Sequence, residues 1–260
     1  MTRSGLVLAS YGTARQEARR RDIEPLVREL REAVPGAPFC EAYLSDPVRR
    51  MLRRTGEAVP GTLGDALAAL ADAGAERVCV QPALIVFGST YRALLDEASA
   101  WEGRLPGGVA VGEPLLSSPG DVRDVAHAVA AAYPMRPGRA LVLVGHGATG
   151  GANGPYLALR NELRAQGRPD AFLGLLDGAP GIDEVVAGVR AAGLGAATLA
   201  PLMLTAGGHV ARQLAASAPG GWQARLRAAG IDADLDMRGL GSLPAIRKVF
   251  LDHARTALRS

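Results

Sequence analysis

The chain has 260 residues, of which 48% are hydrophobic and only 4% aromatic, and its formal net charge is +3. These values indicate a globular α/β protein of one large or two modest domains. The small basic excess fits an acidic small-molecule partner. It argues against nucleic acid, because no dense basic run with interleaved aromatic residues is present. We expect a cytoplasmic protein without a membrane span, since the uncharged stretch 191–211 is broken by glycines and a proline.

In the first half of the chain, two strands and two helices stand out. Residues 6–9 form a short apolar strand, and a helix with one apolar face follows, with Asp22 as its predicted N-cap. Thr62 and Asp65 have the spacing of a capping box at the next helix start, and Gly74 is placed to end that helix. Residues 78–86 are predicted as the next strand.

Each half is predicted to follow the order strand, helix, strand, helix, strand. We predict strands at 141–144, 171–176 and 197–204, with a helix between the first two that starts near Pro155 and ends at Gly167. The segment 112–138 is the predicted crossover between the halves. Because strands alternate with helices, each half should contain a parallel sheet flanked by helices.

An internal duplication supports this division into two halves. Segments 63–95 and 182–214 run in parallel, with Pro82 opposite Pro201 and Thr90 opposite His209. The segment 6–13 likewise matches 141–148, so that Tyr11 stands opposite His146. We therefore predict two similar α/β halves, residues 1–128 and 129–260.

The glycine-rich segment 145–150 raises a first hypothesis. Gly145, Gly147 and Gly150 have the spacing of a dinucleotide-binding loop. In that fold the helix begins at the third glycine, whereas Pro155 here indicates a start about five residues later. Asp177 stands where the ribose-binding acid would be expected, so a dinucleotide-dependent oxidoreductase remains an alternative.

A second hypothesis comes from the strand ends. His146, Asp177 and His209 each follow a predicted strand of the second half. Because the carboxyl ends of parallel strands meet at one edge of a sheet, these side chains should share a crevice. Two imidazoles and a carboxylate suit a divalent transition metal with open positions. The other histidines, His127 and His253, lie in helical patterns and are predicted to be surface or packing residues.

Several longer motifs resemble the anaerobic cobaltochelatase family, the class II chelatases. They are "SYGT" (10–13), "PLLSSP" (114–119), "GHGA" (145–148), "APLMLTAGGH" (200–209), Trp222 and "GLGSLPAIRKVFLDHA" (239–254). The resemblance implies two flavodoxin-like halves with a tetrapyrrole in the cleft between them, and a metal site of two histidines and a glutamate. His146 and His209 match the histidines, and Asp177 stands where the family has glutamate. Ser89 and Thr90 replace an acidic pair, Gly208 an aspartate, and Leu84 a histidine.

The function implied by the resemblance is insertion of a divalent metal into sirohydrochlorin. Co(II) is the expected metal, with Ni(II) and Fe(II) as alternatives, and no further cofactor is expected. His146 is the predicted catalytic residue, because an imidazole can serve both as ligand and as base near neutral pH. A homo-oligomer is compatible with the sequence, and a non-catalytic carrier of metal or tetrapyrrole is the main rival function. The residues predicted to hold the macrocycle are Ser10, Tyr11, Gly12, Thr13, Phe87, Gly88, Ser89 and Thr90.

Overall fold

A computed structural model describes residues 3–148, 153–215 and 220–260. It contains two four-stranded sheets, with strand orders β2-β1-β3-β4 and β6-β5-β7-β8, and every neighbouring pair is parallel. The predicted fold class is therefore confirmed. The strands are β1 (Ser4–Ser10), β2 (Phe39–Tyr43), β3 (Arg77–Pro82), β4 (Val109–Val111), β5 (Arg139–Gly145), β6 (Ala171–Leu175), β7 (Ala196–Pro201) and β8 (Asp232–Leu235).

Helices flank both sheets, and none of those described is long and apolar enough to span a membrane. The predicted capping box is present, because Thr62 Oγ1 accepts from the Asp65 N–H and the Asp65 carboxylate accepts from the Thr62 N–H. The helices are α1 (Gln16–Asp22), α2 (Glu24–Ala33), α3 (Asp46–Arg54), α4 (Leu63–Asp72), α5 (Ser89–Ser99), α6 (Pro119–Ala132), α7 (Gly154–Ala165), α8 (Ile182–Ala191), α9 (Gly208–Leu214), α10 (Trp222–Ala228) and α11 (Pro244–Arg259).

Two central strands are shorter than predicted, for the same reason in each half. After β3, the carbonyl groups of residues 84 and 85 accept hydrogen bonds from the N–H groups of Leu115 and Leu116. After β7, the carbonyl groups of residues 203 and 204 accept from Leu240 and Gly241. In both halves the chain thus leaves the sheet to pair with the loop beyond the edge strand. The edge strands themselves, β4 and β8, are short and were not predicted.

Asp22 does not have the role that its sequence position predicts. It is the last residue of α1, and Ile23 is the N-cap of α2. The Asp22 side chain is fully buried and accepts hydrogen bonds from Thr205 Oγ1 at 3.0 Å and from the Gly239 N–H at 3.2 Å. A carboxylate of the first half therefore anchors the turn that follows β7 in the second half.

The two halves share one apolar core. It joins Leu6 and Leu8 of the first sheet to Leu141 and Leu143 of the second, and it includes Phe250 of α11. The terminal helix α11 lies against β3, where the Ala257 carbonyl accepts from the Arg77 guanidinium. The last helix of the chain thus covers the sheet of the first half. The boundary at residue 128 stays a prediction.

Candidate metal site and cleft

The end of β5 brings His146 beside Asp177. The Asp177 N–H donates to the His146 carbonyl at 2.8 Å, and His146 Nδ1 lies 3.4 Å from Asp177 Oδ2. Both side chains are open to solvent, with 54% and 71% of their side-chain areas exposed. Two of the three predicted metal-site residues are therefore adjacent and accessible.

Gly147 permits this close approach of the two loops. Its φ is +93°, and a Cβ at this position would lie 1.9 Å from the Asp177 carbonyl oxygen. The glycine after His146 thus serves contact with the Asp177 loop. The adjoining helix α7 begins only at Gly154, as its late predicted start required, and Gly150 lies outside the described residues.

His209 belongs to the first turn of α9, but its side chain lies outside the described residues. Its backbone position follows from the sheet register. Val144 of β5 pairs with Pro201 of β7, as Ala9 of β1 pairs with Pro82 of β3. His146 and His209 follow Val144 and Pro201 by two and eight residues, and Tyr11 and Thr90 follow Ala9 and Pro82 by the same two and eight residues.

The first half shows what this register does to side chains. The Tyr11 hydroxyl lies 2.5 Å from Thr90 Oγ1, so these two positions meet across the ends of β1 and β3. Tyr11 is 52% exposed and Phe87 is 39% exposed, and the Phe87 ring packs edge-on against Tyr91. Ser89 is exposed as well, so this crevice presents aromatic and hydroxyl groups.

The remaining predicted substrate residues are buried. Ser10 is 1% and Thr13 is 2% exposed, and Thr13 Oγ1 accepts from the Arg15 N–H. Gly12 packs against the ring of Tyr43, and Gly88 is the N-cap of α5. These four residues shape the loops around Tyr11 and Phe87.

The crevices of the two halves face each other. A Cβ on Gly88 would lie 3.6 Å from the Ala148 Cβ, and a Cβ on Gly207 would lie 3.9 Å from Thr13 Oγ1. Burial raises the pKa of Tyr156 to about 12, and the nearby Tyr11 adds to this shift. The strand-end loops of both halves therefore line a single cleft.

Within the part of the chain that the structure describes, another group of candidate ligands lies away from the cleft, at Glu113, Asp121 and His253. His253 Nδ1 lies 3.1 Å from the Glu113 carbonyl oxygen, and Nε2 lies 3.1 Å from Asp121 Oδ1. When protonated, the imidazole donates to both oxygens. His253 therefore links α11 to α6 through polar contacts, in keeping with the packing role predicted for it.

The two cysteines, Cys40 and Cys79, are unsuited to metal binding. Both are free, and burial raises the pKa of the Cys79 thiol to about 12, so that it stays protonated near neutral pH. Burial also raises the pKa of Cys40.

A family model for cobalt chelatase (CbiK) matches residues 4–259. The chain belongs to the cobalt chelatase family. The sirohydrochlorin cobaltochelatase of Salmonella typhimurium is 31% identical to this family member over 257 residues, which cover 98% of this chain and 97% of the relative.

Two solved structures share the fold. The sirohydrochlorin chelatase SirB from Bacillus subtilis subspecies spizizenii, solved in complex with cobalt, matches with a TM-score of 0.67 at 15% identity, over 99% of this chain and 96% of SirB. CbiX, described as the terminal enzyme of siroheme biosynthesis in denitrifying bacteria, matches with a TM-score of 0.56 at 18% identity, over 97% of this chain and 99% of CbiX. Because both sequence identities are below 25%, this structural similarity supports the fold of the chain and nothing further.

Proposed function

We propose that this cobalt chelatase family member inserts Co(II) into sirohydrochlorin, with the metal held by His146, His209 and Asp177 at the second-half side of the cleft. The observation that carries the proposal is the shared register of the two halves. Since Tyr11 and Thr90 meet at 2.5 Å, the equivalent backbone positions of the second half suit two imidazoles that bind one ion.

The reaction exchanges one metal ion for two protons. Co(II) passes to the four ring nitrogens while two pyrrole N–H bonds lose their protons, so the charge balances without a redox step. As the ion leaves His146, the imidazole nitrogen that bound it regains a free lone pair and accepts one of these protons, and the other passes to water in the open cleft. One residue can thus act first as ligand and then as base.

The first half, in this proposal, holds the macrocycle. Tyr11 and Phe87 offer exposed aromatic faces, and Ser89 and Thr90 offer hydroxyl groups. The buried residues Ser10, Gly12, Thr13 and Gly88 support these loops from below. Sirohydrochlorin, a polycarboxylate with a flat conjugated ring, has the groups that such a surface can contact.

The test is a reconstituted reaction. Purified protein is mixed with sirohydrochlorin and with Co(II), Ni(II) or Fe(II) in turn, and the absorbance change of metal insertion is followed. We expect turnover above the uncatalysed rate, fastest with Co(II). Binding of metal and tetrapyrrole without turnover would support the carrier function instead. A dinucleotide that binds while sirohydrochlorin does not would support the oxidoreductase.

A further inference from the structure

Asn153 joins the two loops that carry His146 and Asp177. Its Oδ1 accepts a hydrogen bond from the Ala148 N–H at 2.8 Å, two residues after His146. Its Nδ2 lies 2.8 Å from the point that a Cβ on Gly178 would occupy, directly after Asp177. Gly178 has a φ of +129°, so a side chain there would both strain the backbone and collide with the amide.

The bond from the Ala148 N–H to Asn153 Oδ1 is unusual for an asparagine at the start of a helix. Asn153 is the N-cap of α7, where an asparagine ordinarily accepts from an N–H of the first helical turn. Here its side chain makes no such bond. The amide oxygen instead accepts from the Ala148 N–H of the His146 loop, and the helix lacks the stabilisation of a side-chain cap.

We propose that Asn153 is a positioning residue for metal insertion, which sets the geometry of the His146–Asp177 pair. The inference rests on the proposed function, because it needs His146 to bind the metal. It adds a residue that touches neither metal nor tetrapyrrole.

The contacts give the physical route. The His146 backbone is held by the Asp177 N–H on one side and, through Ala148, by Asn153 on the other. With the backbone fixed, the imidazole keeps Nδ1 within 3.4 Å of Asp177 Oδ2, a separation at which the two side chains can bind one ion. Removal of such a supporting bond around a metal ligand costs about 10- to 100-fold in affinity or activity.

The experiment compares Asn153→Ala with Asn153→Asp and with Asn161→Ala. Asn161 is an exposed asparagine of the same helix, so its variant controls for changing this residue type in α7. The readouts are kcat and KM for sirohydrochlorin, Co(II) affinity without tetrapyrrole from the visible absorbance of the bound ion, and the thermal midpoint. Asn153→Ala removes no helix cap, because the native side chain makes none.

We expect Asn153→Ala to lower kcat and Co(II) affinity about 10- to 100-fold with KM for the tetrapyrrole nearly unchanged. Asn153→Asp keeps the acceptor for the Ala148 N–H and should recover most of both losses. Asn161→Ala should match the wild type in every readout.

Two results would overturn the proposal. One is Asn153→Ala behaving like Asn161→Ala. The other is a loss in Asn153→Ala that follows a fall in the thermal midpoint and is not recovered in Asn153→Asp, since that pattern marks a purely structural role. A His146→Ala variant run in parallel separates these from failure of the proposed function, because an unchanged rate there removes His146 itself from the site.

Discussion

The crevices of the first and second halves have the same backbone frame and different side chains. At the two positions where the second half has His146 and His209, the first half has Tyr11 and Thr90. A phenol and an alcohol are weak ligands for Co(II) near neutral pH, and here they bond to each other. Under the proposed function, the duplicated fold supplies the geometry of a two-ligand site in each half, and the residue types decide which half binds the metal.

The largest expected effect comes from removing the imidazole that this comparison singles out. His146→Ala should lower the rate of Co(II) insertion at least about 100-fold, because both a ligand and a base are lost. The thermal midpoint should stay within a few degrees, since the side chain is exposed. Initial rates from the absorbance assay check this, with His127→Ala, an exposed histidine of α6, as the control. An undiminished rate in His146→Ala would contradict the proposal that the second half supplies the metal ligands.

Asp177 should have the next largest effect. Asp177→Ala is expected to weaken Co(II) binding about tenfold or more, because the carboxylate beside His146 is lost. Isothermal titration with Co(II) measures this. Asp177→Glu introduces the residue type that the family resemblance implies and should retain binding. If Co(II) affinity is unchanged in Asp177→Ala while the thermal midpoint falls, Asp177 is only a turn residue.

Histidines placed at the equivalent positions of the first half test whether the two halves have the same backbone geometry. The double variant Tyr11→His with Thr90→His places two imidazoles on the first-half frame, where the native side chains already meet. We expect one additional Co(II) per chain by equilibrium dialysis, bound more weakly than the first because no Asp177 equivalent is present: Ser45 stands in that place and caps α3. The variant with only Tyr11→His should gain no tight site. Identical stoichiometry in the double variant and the wild type would show that the frames differ.

Smaller effects are expected from removing the native hydroxyl groups. Tyr11→Phe and Thr90→Ala should each raise the KM for sirohydrochlorin a few-fold, about 1 kcal/mol of binding, and leave Co(II) affinity nearly unchanged. Because the two groups bond to each other, the double variant should lose less than the sum of the single losses. Steady-state kinetics and metal titration together check both points. A collapse of Co(II) affinity in Tyr11→Phe would contradict the division of roles.

The smallest expected effect on activity comes from Asp121 of α6, whose carboxylate lies 3.1 Å from Nε2 of His253 in α11. Burial alone would raise the pKa of Asp121, but hydrogen bonds from Ser117 and Ser118 and the nearby His253 hold it below its ordinary value. The stabilisation is therefore complete above about pH 5 and is lost as the pH falls below about 4, through the folded-state pKa.

Asp121→Asn should accordingly lower the free energy of unfolding by about 1–2 kcal/mol at neutral pH, since a capping box is weakened as well. The difference from the wild type should narrow below about pH 4. Urea unfolding at several pH values measures it, and kcat at neutral pH should be unchanged. A constant difference at every pH would mean that the charge of Asp121 does not stabilise the fold.

Local signals predicted the fold well and the supporting contacts poorly. The repeat, the capping box at Thr62 and the alternation of strands with helices required no distant partner, and all are present. The roles of Asp22 and Asn153 could not be read in this way. Asp22 resembles a helix cap in sequence, yet its partners Thr205 and Gly239 are about 200 residues away. Asn153 lies in a loop whose glycines suggest a phosphate site, and only the structure relates it to Ala148.

Edge strands and strand ends show the same limit. β8 has the sequence "DADL". Its two aspartates are untypical of a strand, so the sequence pattern did not predict one, yet its backbone pairs with β7. The ends of β3 and β7 depend on loops that follow the edge strands, so no local pattern determines them. For the site, the strand-end rule brought His146 and Asp177 together correctly, whereas their ligand roles stay predictions.

The return of α11 to the first-half sheet has a consequence for synthesis on the ribosome. The first half is translated first, yet Phe250 and Ala254, which complete the core beside β3, are made only after all the strands of the second half. Until α11 emerges, Leu6, Leu8 and Cys79 lack part of their apolar cover. A chain that stops before Pro244 would therefore leave part of the apolar surface of the first-half sheet exposed to water.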